Sequence, residues 1–166
     1  MMDIVEGNEL HIPSIVEIAE KTWRVTYASI LAPDQMDYML KAIYGEQELK
    51  KVMRDGSQKF LLLKDSMGFQ GFASFGARPE NPTVFKLHKI YILPQNQGKG
   101  YGKILLDEIK NRLVTQGINT LELNVNRYNP AKEFYKKLGF SIVREEDVPI
   151  GEYWMNDYVM RCVIGL

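Results

Sequence analysis

A glycine-rich turn between an apolar stretch and an amphipathic segment is the feature that most constrains this chain. Residues 87–102 read LHKIYILPQNQGKGYG, and the apolar spacing that follows predicts a helix from about Gly100 to Thr115. The backbone N–H groups of such a turn, together with those of the helix N-terminus, point toward one place and can bind a pyrophosphate there. The sequence therefore predicts a phosphate-binding unit made of a strand, a turn and a helix.

Two familiar phosphate-binding patterns fit these glycines poorly. A Walker loop has four residues between its glycines and then Gly-Lys-Ser/Thr, but Gly98 and Gly102 enclose three residues and isoleucine follows Lys103. A dinucleotide fingerprint needs G-x-G-x-x-G directly after a strand, whereas here the third glycine comes one residue early and residues 94–97 intervene. The dinucleotide pattern remains an alternative, because Glu122 lies about 20 residues further on, where that fold places its ribose-binding acid.

A third pattern, Gln-x-x-Gly-x-Gly, is spelled by Gln97, Gly100 and Gly102, and it resembles the coenzyme-A loop of the GCN5-related N-acetyltransferases, the GNAT superfamily. A second segment, residues 121–140, reads LELNVNRYNPAKEFYKKLGF and is similar to the second cofactor segment of that family. Within the superfamily, residues 23–27 and the LHKIYI stretch are similar to polyamine acetyltransferases of the PaiA type. The chain is thus identified by resemblance as a GNAT member.

Hydrophobic periodicity and turn residues predict one α/β domain over residues 1–166, with no linker. The resemblance implies the GNAT fold: a mixed, mostly antiparallel sheet of about seven strands, helices on both faces, and a splay between the fourth and fifth strands. Helices are expected after Pro13 and Pro33, over 46–53, over 100–115 and after Asn129. Strands are expected at 3–6, 59–64, 69–75, 83–93, 121–125, 141–144 and 153–164.

Composition limits the possible partners. Lys plus Arg and Asp plus Glu number 21 each, so there is no basic excess for nucleic acid or an anionic membrane. Residues 1–6 lack the features of a signal peptide, and no apolar stretch approaches the roughly 20 residues of a membrane span, so we expect a cytoplasmic protein. Cys162, His11 and His88 form no metal-ligand pattern. We therefore expect a small-molecule partner, no metal, and Cys162 in the core.

The resemblance implies acetyl-CoA as the cofactor. The pantetheine arm is expected to pair with the backbone of the fourth strand, where a bulge would aim one N–H at the thioester oxygen. The loop would hold the pyrophosphate, with Lys99 and Lys103 either adding charge or simply solvated. Asn129 is expected to cap its helix and to lie near the pantetheine. The implied cofactor-binding residues are Ile90, Tyr91, Ile92, Gln97, Gly98, Lys99, Gly100, Tyr101, Gly102, Lys103, Asn124, Asn129, Phe134 and Tyr135.

Two residues are candidates for proton transfer. The resemblance places Tyr135 near the coenzyme sulfur as the general acid, and the alternative is a core tyrosine on an apolar helix face. Family members often carry a glutamate on the fourth strand, at positions that Lys86 and His88 occupy in this chain. His88 shares strand alternation with Ile90 and Ile92, and an imidazole titrates near 6.5, so we consider it as the base. A structural histidine with a chain of water molecules as the base is the alternative.

The sequence says least about which residues form the acceptor pocket. Trp23, Tyr27 and Tyr38 are expected to wall it, since aromatic rings suit a cation, although their helical spacing also suits a core. Carboxylates between residues 145 and 157 predict an acidic last loop that attracts a polyamine or is merely solvated. The apolar segment 158–164 is a candidate for pairing across a homodimer.

The function expected from these features is acetyl-CoA-dependent N-acetyl transfer, in a ternary complex, to a primary amine of a polyamine-like or amino-acid-like small molecule. A non-catalytic acyl-CoA-binding module is an alternative, but the presence of Tyr135 favours an enzyme. The dinucleotide-binding protein is the other alternative. The sequence does not identify the acceptor, the base, the oligomeric state or the pathway, because a fold does not determine its substrate.

Overall fold

The computed structural model describes residues 2–165. Seven strands form one sheet, and five α-helices and two 3₁₀ turns accompany it in this part of the chain. The strands are β1 (Asp3–Glu6), β2 (Lys59–Asp65), β3 (Gly68–Arg78), β4 (Asn81–Ile92), β5 (Thr120–Asn126), β6 (Ser141–Ile150) and β7 (Tyr153–Val163). The helices are α1 (Ile12–Thr26), α2 (Pro33–Tyr44), α3 (Glu46–Arg54), α4 (Tyr101–Thr115) and α5 (Ala131–Lys137).

The sheet order is β1-β2-β3-β4-β5-β7-β6, in which β4 and β5 are parallel and the other neighbours are antiparallel. The β4–β5 ladder runs only from Val84 to Leu87 against Thr120 to Leu123. Beyond it both strands continue, β4 to Ile92, without pairing to each other. The expected mixed sheet and the splay between its fourth and fifth strands are confirmed.

Two apolar cores hold the helices on the two faces of the sheet. The four buried leucine and isoleucine side chains of α4, residues 105, 106, 109 and 113, pack with Leu121 and Leu123 on one face, where Cys162 is also buried. The other core joins α1, α2 and α3 to the sheet through Phe60 and Phe72. Burial of these side chains supplies most of the driving force for folding. None of the helices in residues 2–165 has the length and apolar content needed to cross a membrane.

A bulge interrupts β4 at His88. Consecutive β3 residues Phe75 and Ser74 pair with Leu87 and Lys89, so His88 is an extra residue without a partner in the register. Such an insertion breaks the alternation of side chains along the strand. Leu87 therefore belongs to the same core as Ile92, and the alternation expected to align His88 with Ile90 does not run through this point.

The C-terminal third differs from the sequence expectation in two ways. β6 extends to Ile150 instead of ending at residue 144, so carboxylates expected in an acidic loop lie in strands, and the β6–β7 turn is only Gly151-Glu152. β7 lies between β5 and β6, where both of its edges are paired. Residues 158–161 of the segment expected to pair across a homodimer therefore already have strand partners on both edges within the sheet, and the homodimer itself stays a prediction.

Candidate active site

The open end of the β4–β5 splay leads into a cavity of about 720 Å³. The end of β4, the glycine-rich loop with the start of α4, and α5 form its walls, and the C-terminal half of α1 closes one side. All of the expected cofactor-binding residues except Lys99 and Asn124 line it. Sequence reasoning missed Thr22, Val25 and Thr26 of α1, because nothing local in that helix indicates that it meets the loop.

The N-terminus of α4 presents unpaired backbone donors to this cavity. Within the described residues, the N–H groups of Gly100, Tyr101, Gly102 and Lys103 have no hydrogen-bond acceptor, as is typical of a first helical turn. Gly98 and Gly100 have φ of 81° and 84°, which only glycine adopts freely, and a Cβ on either would meet no atom within 4 Å. The donors and the open space in front of them suit a phosphate group.

Gly102 serves a different purpose from the glycines before it. It lies inside the first turn of α4, and a Cβ there would be 3.3 Å from the ring of Phe134 on α5. Phe134 is 38% exposed and forms part of the cavity wall rather than of the core. Gly102 therefore lets the two helices that bound the cavity approach each other.

The polar side chains of the loop are partly engaged within the protein. Gln97 Nε2 donates to the Ile92 carbonyl at 3.1 Å and so ties the loop to the end of β4. Lys99 Nζ donates to Asn96 Oδ1 at 3.2 Å. The exposed Lys103 Nζ donates to Asp107 Oδ2 at 2.7 Å. Backbone donors are thus better placed than the lysines to define a phosphate site.

Tyr135 lies on α5 where the large cavity meets a smaller one of about 40 Å³ inside the splay. It is 9% exposed, and burial, with Tyr91 nearby, raises the pKa of its phenol above the ordinary value. The hydroxyl therefore keeps its proton at neutral pH.

Asn129 borders the same two cavities and makes two hydrogen bonds. Its Oδ1 accepts from the Ala131 N–H at 2.9 Å, and its Nδ2 donates to the Tyr27 hydroxyl at 3.4 Å.

His88 borders the smaller cavity, but its electrostatic surroundings are those of a weak base. Burial, followed by the charges of Lys86 and Lys89, lowers the pKa of its imidazole to about 3. The ring is therefore neutral at physiological pH and binds a proton reluctantly, contrary to the value near 6.5 considered from the sequence. Lys89 donates from Nζ to Gln58 Oε1 at 2.7 Å, and burial lowers its own pKa to about 8.

The three aromatic residues expected to form one acceptor pocket do not line a common cavity. Trp23 and Tyr27 are 3% and 5% exposed, and their ring centroids are 4.6 Å apart. Tyr27 borders the small cavity in the splay, and Trp23 borders another cavity of about 290 Å³ that includes His88. Tyr38 instead packs on Tyr153 at 5.3 Å, beside the β6–β7 turn.

A buried carboxylate that the sequence reasoning placed in an exposed loop lies beside the splay. Asp157 of β7 is 6% exposed, and its Oδ2 accepts from Asn124 Nδ2 at 3.2 Å. The same amide donates to Glu146 Oε1 at 3.0 Å, so Asn124 is held by carboxylates rather than free for the cofactor. Burial raises the pKa of Asp157 to about 6. Strand alternation was the available signal, since Asp157 shares parity with buried Met155 and Val159.

Glu122, the residue that favoured a dinucleotide site in the sequence, already has hydrogen-bond partners within the protein. Glu122 is 2% exposed and accepts from Arg78 Nε at 2.7 Å, while Arg161 Nη2 lies 2.6 Å from its other oxygen. A carboxylate that is buried and already bound by two arginines is not accessible to a ribose hydroxyl. Its place in the sheet is structural.

Comparisons with known proteins agree with this geometry. A sequence model described as the acetyltransferase (GNAT) domain matches residues 28–158. An uncharacterized N-acetyltransferase of Bacillus subtilis is 28% identical over 152 residues, covering 90% of this chain and 86% of the relative. A spermidine N(1)-acetyltransferase of Thermoplasma acidophilum is 25% identical over 133 residues, covering 79% and 83%.

A solved structure shares the fold. The PaiA N-acetyltransferase from Thermoplasma acidophilum, determined in complex with coenzyme A, superposes with a TM-score of 0.83 at 23% identity, covering 98% of this chain and 99% of that one. The splayed sheet, the donor-rich start of α4 and the matched domain together identify the chain as a member of the GNAT family of N-acetyltransferases.

Proposed function

We propose that this protein transfers the acetyl group of acetyl-CoA directly to a primary amine of a small molecule, within a ternary complex. The observation that carries the proposal is the cavity of about 720 Å³, which joins unpaired helix donors at one end to the splay at the other. A phosphate-binding end and a narrow slot between strands suit a long cofactor that is anionic at one end and reactive at the other.

The residues present fit coenzyme A. The N–H groups at positions 100–103 would hold its phosphates, and the edge of β4 that faces the splay would pair with its amide-containing arm. The apolar walls formed by Ile92 and Phe134 suit the methylene groups of that arm. When bound, acetyl-CoA supplies the acetyl group as an activated thioester.

The protein's own contribution is positioning and proton transfer. Holding two reactants in a productive orientation is worth roughly 7 to 11 kcal/mol of barrier in well-oriented systems. Tyr135 retains a proton on its hydroxyl where the two cavities meet, so we assign it as the general acid. The neutral His88 is poorly suited to accept a proton at neutral pH.

A small amine is favoured as the acceptor by the size and lining of the splay. Tyr27 and Asn129 border a space of about 40 Å³, enough for an amino group but too small for a folded segment. Aromatic rings next to that space suit an alkylammonium ion. A polyamine is the first candidate, because a relative that spans most of the chain is a spermidine N(1)-acetyltransferase.

The test is release of free thiol from acetyl-CoA in the presence of a panel of amines: spermidine, amino acids, aminoglycosides and a peptide with a free N-terminus. We expect turnover with at least one small amine and little without any. Thermal unfolding with coenzyme A and with NADH is the companion measurement. Stabilisation by coenzyme A without turnover on any amine would contradict catalysis, and stabilisation by NADH alone would contradict the cofactor.

A further inference from the structure

Two buried oxygen atoms beside the splay lack a hydrogen-bond donor. Asp157 Oδ1 and Asn124 Oδ1 are both inaccessible to solvent and unpartnered among residues 2–165. The two side chains already touch, since Asn124 Nδ2 donates to the other oxygen of Asp157 at 3.2 Å. Both residues lie on the sheet face that carries α1, because Leu123 and Val125 on either side of Asn124 pack in the core of α4, whereas Met155, of the same strand parity as Asp157, packs in the core of α1.

Such a pair is costly unless something donates to it. A buried acceptor without a partner pays the cost of losing its hydration with nothing in return, and the cost is larger when the acceptor is charged. A group that donates two hydrogens would satisfy both atoms, and a positive charge would in addition pair with the Asp157 carboxylate. A primary ammonium has both properties. Asn124 also borders the small cavity that contains Tyr27 and Tyr135, so a group seated there would lie next to the proposed transfer site.

We propose that Asp157 and Asn124 form the site that binds the acceptor's ammonium group, and that Asp157 accepts the first proton that this group loses, which frees the nitrogen lone pair to attack the thioester. Only the second part, proton acceptance by Asp157, rests on the proposed function; the binding of an ammonium group does not. In this step the bound ammonium gives one proton to Asp157: one N–H bond breaks, one O–H bond forms, the bonding pair stays on nitrogen as the nucleophilic lone pair, and the carboxylate becomes a neutral acid. The nitrogen loses a second proton when the amide forms, and that proton balances the one that Tyr135 gives to the thiolate of coenzyme A.

The charges around Asp157 suit this exchange. The surrounding groups come from three strands and one turn: Lys86 of β4, Asn124 of β5, Arg127 just after β5, and Glu146 of β6. Burial raises its pKa to about 6, with Glu146 adding to the rise and Asn124, Lys86 and Arg127 opposing it. The carboxylate is then ionised at neutral pH, yet binds a proton more readily than an exposed aspartate.

The direct test is a titration of the Asp157 carboxyl by ¹³C NMR, assigned with Asp157→Asn, with and without coenzyme A. n-Butylammonium chloride is the probe, and tetramethylammonium chloride, which has no N–H, is the matched control at equal ionic strength. We expect n-butylammonium to lower the carboxyl pKa in at least one of the two states and tetramethylammonium to have no such effect. No shift in either state, or equal shifts with both salts, would overturn the proposal, leaving a buried water as the partner.

Kinetics test the proton step separately. With spermidine or another accepted amine, Asp157→Asn should lower kcat/KM at least a hundredfold and remove the acidic limb near pH 6, while affinity for coenzyme A stays unchanged. Glu152→Gln, an exposed carboxylate in the β6–β7 turn, should behave as the wild type. A retained acidic limb in Asp157→Asn would overturn the assignment of Asp157 as base. If the wild type acetylates no amine, the proposed function fails, and the NMR titration still decides the binding site.

Discussion

Gly100 and Gly117 lie at opposite ends of α4 in the same left-handed conformation, with φ of 84° and 78°. A Cβ on either would meet no atom within 4 Å, so alanine at each position should cause the same backbone strain, on the order of 1 kcal/mol. Only Gly100 adjoins the unpaired N–H groups of the cavity. The two glycines therefore separate a conformational role from a ligand-binding role.

Alanine at each glycine gives the first prediction. Gly100→Ala and Gly117→Ala should lower the free energy of unfolding by similar amounts, since their strain is matched. Only Gly100→Ala should weaken coenzyme A binding, by about tenfold or more, because it displaces the donors and adds a methyl group where phosphate is expected. Denaturant unfolding and calorimetric titration measure the two quantities. Equal coenzyme A affinity in both variants would show that the loop does not bind phosphate.

Tyr135→Phe removes one oxygen and keeps the ring on α5. If the hydroxyl is the acid, kcat should fall about 10² to 10⁴-fold, the usual worth of a positioned proton donor, with acetyl-CoA affinity nearly unchanged. Steady-state kinetics and a melting curve are measured together. Tyr158→Phe, a partly buried tyrosine against the same core, is the control and should retain turnover. A fully active Tyr135→Phe enzyme would remove Tyr135 from the mechanism.

The low pKa of His88 predicts that the stability of the protein falls in acid, and that His88 contributes no limb near neutral pH to the pH profile of kcat/KM. Its folded pKa of about 3 is lower than its ordinary value of 6.5, so the stability that the neutral ring contributes is present above pH 6.5 and lost as pH falls toward 3. His88→Gln should therefore lose less stability than the wild type between pH 6.5 and 4. Denaturant unfolding at several pH values measures this, and identical pH dependence in both proteins would contradict the depressed pKa.

Asp157→Asn should stabilise the protein while it impairs catalysis. The folded pKa of about 6 exceeds the ordinary 3.8, so the stability contributed by the protonated carboxyl is present below pH 3.8 and lost as pH rises through 6. A difference of about 2 units corresponds to about 3 kcal/mol, and asparagine removes that cost at neutral pH. We expect a gain on the order of 2 kcal/mol at pH 7.5 that disappears near pH 4. A destabilised variant at pH 7.5 would contradict the buried, ionised carboxylate.

Local sequence determined the cofactor side of the site. The conformations of Gly98 and Gly100, the first turn of α4 and the Asn129-Pro130 start of α5 are set by residues close in the chain, so glycine and capping patterns predict them. The apolar spacing of α4 was enough to identify its buried face, because a helix repeats its contacts every few residues. Short turns between β2, β3 and β4 likewise predict that these consecutive strands are antiparallel neighbours, because a short turn leaves the chain no other place to go.

The tertiary structure alone decided the acceptor side. The bulge at His88 arises from the pairing of β4 with β3. The length of β6 depends on its pairing with β7. The acidic run of β6, which contains Pro149, is typical of a loop when considered alone, but an edge strand accommodates it. The burial of Asp157 and the enclosure of Glu122 depend on residues from several strands. Strand register and the pKa of a buried group are properties of neighbours that long-range pairing assembles, and no local period encodes them.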